Sequence, residues 1–350
     1  MMNAKSIRLS VVCLVLAGST LLPFAAKAQE VKGPKVAWNF SVWGNSRAWT
    51  RGIELIADEV SKRTGGAFTI RIAYANQLSP ERENLDNIKI GAIEGAIFCS
   101  SYHPGKNLGM TALDLPFLPL DDLDVTQTVA ERFYQHPYIV AEMKRWNAVA
   151  FMTTLLPQFE FMGVGDPPKT LEDWKGRRVR APGGLGDAMR VLGANPTSVP
   201  GSEIYMALDR RTVDAVSWPM TYAFAAYKLH EISKWYTDNL APGKINCPTA
   251  FSLSAMEKLP PQYRQLLDSL KAPAYQAIAQ AYKATDEKNI LMFNKTLTPV
   301  HYSDAEIARF RTIGGKPVWD KWVQENAAKG VPAQELLDLI LATAKKASGK

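Results

Sequence analysis

The chain of 350 residues is 47% hydrophobic and carries 41 Lys and Arg against 34 Asp and Glu, a formal net charge of +7 at pH 7. That length exceeds what one hydrophobic core usually serves, so two domains are expected. The basic residues form no tract of the kind that binds nucleic acid, and the three cysteines and four scattered histidines lack the spacing of a zinc centre.

Residues 1–28 read as a signal peptide. Lys5 and Arg8 form the positive start, 10–22 the apolar stretch, and Ala26, Lys27 and Ala28 a small-x-small cleavage site before Gln29. The stretch is short for a membrane span of roughly 20 residues, which disfavours the rival reading, an uncleaved anchor. No cysteine follows the cleavage site, so lipid attachment is not expected. Cleavage removes Lys5, Arg8 and Lys27 and no acidic residue, leaving a mature chain at +4. Cys13 leaves as well. Cys99 and Cys247 remain, either as a disulfide in an oxidising compartment or as two buried thiols.

The mature chain reads as mixed α/β. Residues 36–42 alternate as a strand. Residues 47–64 carry Trp49, Ile53, Ile56, Ala57 and Val60 at helical spacing and stop at Gly65-Gly66. A strand over 68–74, a helix over 83–91 and a strand over 92–99 follow, a rhythm that implies parallel strands covered by helices. Asp121, Asp122 and Asp124 lack the glycine and distal glutamate of a calcium loop and read as a solvated turn. Strands are expected at 146–155, near Gly163, at 177–181 and at 213–218. Between them lie a helical turn capped by Thr170, a helix over 186–192 and another over 202–209. From 260 onward the chain reads as helical, over 260–294, 303–314, 315–329 and 333–346, with Ser303 and Glu306 as a capping box. The run over 273–294 is long enough to cross between domains. Trp146 and the pair Trp319 and Trp322 read as packing residues.

No nucleophile elbow, HExxH motif or phosphate loop is present, so an enzyme is not expected. Gly183, Gly184 and Gly186 lack dinucleotide-loop spacing and serve to bend the backbone beside Arg180.

Several segments carry a resemblance. They are Thr64-Gly65-Gly66, Gln77-Leu78, Gly91-Ala92-Ile93-Glu94, Leu115-Pro116-Phe117-Leu118 and Leu171-Glu172-Asp173-Trp174-Lys175-Gly176. Arg180-Ala181-Pro182, Leu192-Gly193-Ala194, Glu203-Ile204-Tyr205-Met206-Ala207-Leu208 and Val213-Asp214-Ala215 complete the series. In order and spacing the mature chain resembles the solute receptors of tripartite ATP-independent periplasmic (TRAP) transporters. The resemblance implies a type II-like fold of two α/β domains, with the ligand in the cleft and a long helix spanning both. It divides the chain into 29–157 plus about 246–285, and about 158–245 plus 286–345. It implies a periplasmic receptor that hands a small organic acid anion to the membrane subunits of an ion-driven permease, with no cofactor and no nucleic acid.

Arg180 stands where the family's carboxylate-binding arginine stands, and a guanidinium fork suits a carboxylate. Arg177 and Arg178 match freer positions and read as solvated. Trp43, Gln77, Ser100, Ser101 and Tyr102 follow strand ends, where α/β folds place ligands. Phe159, Trp218 and Tyr222 are candidate apolar walls, and Glu203 a polar support for Arg180 or a structural residue. Trp218, where many relatives carry asparagine, resembles the branch that takes 2-oxo or other small hydrophobic acids. Residues 156–162 lack the second arginine that some relatives carry there. The leading expectation is an aromatic or 2-oxo/2-hydroxy monocarboxylate. The alternatives are a C4-dicarboxylate or sugar acid, or a sensory receptor.

Overall fold

The computed structural model describes residues 30–103 and 105–349; the leader expected at 1–28 lies outside the described residues. Eleven strands are described: β1 (Val36–Ser41), β2 (Phe68–Ala73), β3 (Gly95–Ile97), β4 (Ala148–Thr153), β5 (Phe159–Gly163), β6 (Arg178–Arg180), β7 (Asn195–Thr197), β8 (Ala215–Pro219), β9 (Trp235–Thr237), β10 (Pro248–Ser252) and β11 (Thr298–Val300). They form two sheets, ordered β2-β1-β3-β10-β4 and β11-β9-β5-β8-β6-β7.

In the first sheet β1 pairs parallel with β2 and β3, as the strand–helix rhythm implies. The helix Arg51–Arg63 makes the first crossover, and Ile53, Ile56, Ala57 and Val60 are its buried apolar residues. Both sheets are mixed. β10 runs antiparallel between β3 and β4, and β5 runs antiparallel to β8 and β9. β5, β8 and β10 are buried at every position, so both faces of each are covered. Such strands show no alternation in sequence.

The chain passes from first sheet to second between β4 and β5, and back between β9 and β10. It crosses again along the 26-residue helix Lys271–Thr296, about 39 Å long. The first half of this helix meets β4, where the Tyr275 hydroxyl accepts from Thr153 N and the Tyr282 hydroxyl donates to Thr154 O. Its second half meets the other sheet, where Asp286 accepts from Thr221 and Phe293 packs on Phe224 and Tyr236. The single run expected over 260–294 is two helices, Pro261–Ser269 and Lys271–Thr296.

Two local readings change. Asp122 is not a loose turn residue: its carboxylate caps the helix Leu123–Tyr134 by accepting from Asp124 N and Val125 N. The last helix, Ala333–Ala347, shares the apolar cluster of Val125, Val129 and Phe133 through Leu336, Leu337 and Ile340, so it packs on the first sheet's side. Trp319 and Trp322 do pack, donating to Pro116 O and Thr111 Oγ1.

Cys99 and Cys247 form a disulfide between the end of β3 and the start of β10, 148 residues apart in sequence. Replacing both with alanine should lower the unfolding free energy by about 2–5 kcal/mol, read by denaturant titration of oxidised protein. A loss well under 1 kcal/mol would show that the β3–β10 pairing holds this edge without the crosslink.

Candidate functional site

One narrow cavity lies between the two sheets, with a free volume of ≈ 20 Å³, room for about one water. Its walls come from strand ends and the connections between sheets. Trp43 follows β1, Ser101 and Tyr102 follow β3, and Arg180 and Pro182 end β6. Trp218, Pro219 and Tyr222 end β8, while Leu156 and Phe159 lie where the chain crosses into β5. Trp49, Ile245 and the disulfide complete the lining.

Arg180 is 2% exposed. β6 pairs parallel with β8, which brings Arg180 opposite Val216 and beside the carbonyl of Ser217. The guanidinium donates from Nε to Val199 O (3.1 Å), from Nη1 to Ser217 O (2.9 Å) and from Nη2 to the Tyr102 hydroxyl (2.8 Å). Its carbon sits 5.1 Å from the centroid of Trp218. Of five N–H groups, one on Nη1 and one on Nη2 have no partner among the described residues. No carboxylate lies within ion-pair distance of Arg180 among the described residues, and burial pushes its pKa down. Burial pushes the Tyr102 hydroxyl up, so it stays protonated at neutral pH. It accepts from Arg180 and retains its own hydrogen to donate.

The turn after Arg180 explains its glycines. Gly183 has φ +58°, favourable to glycine, at the start of the helix Gly184–Val191. A Cβ on Gly184 would collide with the Asp114 carbonyl and come within 3.0 Å of Leu115 Cα. The Arg180 loop therefore presses directly on the first sheet's side.

Aromatic rings fill the remaining walls. Trp43 packs on Trp49 (4.7 Å between centroids), Tyr102 (5.9 Å) and Trp218 (6.4 Å), and Trp218 stacks on Tyr227 at 4.7 Å. Several polar atoms of the lining residues are buried without a partner among the described residues: Ser101 Oγ, Trp43 Nε1 and Trp49 Nε1. Buried polar atoms normally have partners.

Seven of the nine expected residues thus converge: Arg180, Trp43, Ser101, Tyr102, Phe159, Trp218 and Tyr222. Gln77 and Glu203 do not. Both are exposed; Gln77 lies in the loop after β2, and Glu203 sits at the N-terminus of the helix Ile204–Asp209. A strand-end loop places a residue near the cleft but does not decide which way it turns. Ser100 lies behind the wall, donating to buried Asp114. Arg178 is exposed and pairs with Asp214. Trp49 was legible only as helix packing, and Leu156, Pro182 and Ile245 carried no signal. Among the described residues no group of three or more His, Cys, Asp or Glu side chains is placed to hold a metal.

The family model of the bacterial extracellular solute-binding proteins, family 7, matches residues 40–326. The chain belongs to this family. A monocarboxylate 2-oxoacid-binding periplasmic protein of a Nostoc species is 28% identical over 258 residues, 72% of this chain and 69% of that one. A TRAP solute-binding protein of Rhodoferax ferrireducens, crystallised with copurified benzoate, superposes with a TM-score of 0.79 at 21% identity, covering 90% of this chain and 99% of that one. A marine metagenome TRAP protein specific for aromatic acids, holding 3-hydroxybenzoate, gives 0.77 at 18% identity, covering 90% and 99%. The chain is thus a solute-binding receptor of this family rather than an enzyme, and it shares the fold of TRAP solute-binding proteins.

Two carboxylates buried behind the site set its pH response. Asp114 accepts from Ser100 Oγ and Asn246 N, both at 2.6 Å, and burial raises its pKa to about 7. Glu160 accepts from Thr237, Leu240 and Ala241 and is raised by burial to about 8. Both bind their proton more tightly folded than unfolded. Their contribution to stability is therefore full at low pH and lost as pH rises through about 7 and about 8. Unliganded wild type should lose more thermal stability between about pH 5 and about pH 8 than Asp114→Asn or Glu160→Gln. Equal slopes in all three would place the dependence elsewhere.

Proposed function

We propose that this receptor captures a small organic monocarboxylate, foremost an aromatic or 2-oxo/2-hydroxy acid, and delivers it to a TRAP permease. The observation that carries the reading is Arg180. A buried guanidinium without a counter-ion is costly, and its two unpaired N–H groups match the two oxygens of a carboxylate. The Tyr102 hydroxyl supplies a further donor, and Trp43, Phe159, Trp218 and Tyr222 provide apolar faces that suit a flat or short apolar body. The relatives' benzoate, 3-hydroxybenzoate and 2-oxoacid ligands agree with this chemistry.

Two further points belong to the reading. Residues 1–28 direct export to the periplasm and are removed. The mobile units are residues 29–157 with about 246–285, joined by the last helix, and about 158–245 with about 286–327. Contacts across the cleft would form on closure: Arg82 Nη2 to Ser198 O (2.6 Å), Ser202 Oγ to Glu81 (2.7 Å) and Arg180 to Tyr102. No helix of the described residues is long and apolar enough to cross a membrane, which accords with a receptor that meets its permease from outside the bilayer.

The test is a thermal-shift screen of mature protein against aromatic, 2-oxo, 2-hydroxy, C4-dicarboxylic, sugar-acid and neutral solutes, followed by calorimetry. A ligand at about 100 times its dissociation constant adds roughly 2.7 kcal/mol of stability. Arg180→Ala should weaken the best acid by about 2–5 kcal/mol with an unchanged circular dichroism spectrum. Arg180→Lys should still bind weakly, since it keeps the charge and loses the fork. Unchanged affinity in Arg180→Ala, or shifts confined to neutral solutes, would overturn the reading.

A further inference from the structure

A second small cavity, with a free volume of ≈ 20 Å³, lies against the first and shares two wall residues with it, Leu156 and Ile245. It contains a buried cation that the sequence reading did not single out. Lys244 is 5% exposed. Its ammonium donates to Thr126 Oγ1 at 2.8 Å, and no carboxylate lies within ion-pair distance among the described residues. An ammonium has three donors, so two remain open. Asn246, 6% exposed, lines the same cavity. Its Oδ1 accepts from the Tyr134 hydroxyl at 2.5 Å, while its Nδ2 is buried without a partner. Thr153 also lines the cavity, its Oγ1 accepting from Leu155 N, and the other walls, Leu113, Leu120, Ala130, Leu156 and Ile245, are apolar.

Unpaired buried donors converging on one space call for an acceptor, and a buried ammonium calls for an anionic one. We infer that Lys244 and Asn246 form a second oxygen-acceptor subsite. It takes the distal carboxylate, carbonyl or hydroxyl oxygen of the solute whose first carboxylate sits on Arg180, or a free small anion when the solute has no such group. The inference rests on the proposed role of Arg180 and adds a preference, among the acids it binds, for those with a second acceptor at the far end. Lys244 supplies the second cation that residues 156–162 lack, from another part of the chain. Leu156 and Ile245 then separate the two polar ends and contact the apolar middle of the solute.

The test compares Lys244→Met with wild type by calorimetry, using matched pairs that differ at one end: butanoate and succinate, pentanoate and glutarate, benzoate and 3-hydroxybenzoate. In parallel, unliganded protein is melted with sodium chloride or an equal ionic strength of a bulky organic salt. The variant should lose roughly tenfold or more of its affinity for the two-ended member of a pair, with its partner unchanged. Chloride-specific stabilisation of wild type, absent from the variant, would instead assign the subsite to a free anion. Equal preference within every pair in both proteins, with no chloride effect, overturns the inference. If no acid binds wild type, the receptor's ligand reading fails and the chloride arm alone decides Lys244. Lys244→Gln, which keeps a donor to Thr126 without the charge, replaces the methionine variant should that one misfold.

Discussion

The structure depends on an unbalanced charge. Arg180 lies in the interior with no carboxylate beside it among the described residues, held by two backbone carbonyls, one hydroxyl and the face of Trp218. Each restraint comes from a different place. Val199 follows β7, Ser217 belongs to β8, and Tyr102 reaches over from the first sheet. The parallel pairing of β6 with β8 fixes the depth of the guanidinium, and the Gly183-Gly184 bend lets its loop lie against Asp114 and Leu115. Neutral acceptors solvate the charge without cancelling it. That is the arrangement a carboxylate site needs, because an internal ion pair would compete with the solute.

The opposite wall is built for rigidity. The disulfide joins the end of β3 to the start of β10, and Asp114 bonds to Ser100 and Asn246, the neighbours of those two cysteines. One covalent and two hydrogen-bonded ties thus hold the same pair of segments. Tyr102 projects from this fixed wall, so its hydroxyl meets Arg180 at a defined position when the two sides are together. Donors held in place lose little freedom on binding, and affinity gains from that preorganisation.

Much of this was legible in the sequence, for identifiable reasons. The first crossover was, because β1, β2 and the helix between them keep clean periods of two and 3.6. Arg180 was, because a resemblance in motif order placed it, and Trp43 and Tyr102 were, because they follow strand ends. β7, β9 and β11 were not, being three residues each with no alternating apolar residues around them. Nor was β10, which is buried on both faces and begins at a proline. Gln77 and Glu203 were assigned to the cleft from their segments, yet both face solvent, since a motif places backbone and not rotamers. Lys244 was invisible for the opposite reason. Lysine is rarely fully buried, so nothing local marks this one as interior; burial comes from Thr126, Ala130 and Leu156, distant in sequence.

The two buried cations also differ in kind, and that difference bears on how an empty receptor stays folded. Arginine cannot lose its proton in a protein, so Arg180 imposes its cost whenever the cleft is unoccupied. Its delocalised charge, turned toward carbonyls and an indole face, is the form of cation an interior tolerates best. Lysine has another route. Burial brings Lys244 down to about 7, so without an anion it sheds its proton near neutrality and the penalty with it. An anion arriving there must bring the proton back. A fold with both groups therefore carries one obligatory charge and one conditional charge, and only the obligatory one must be balanced by the solute every time.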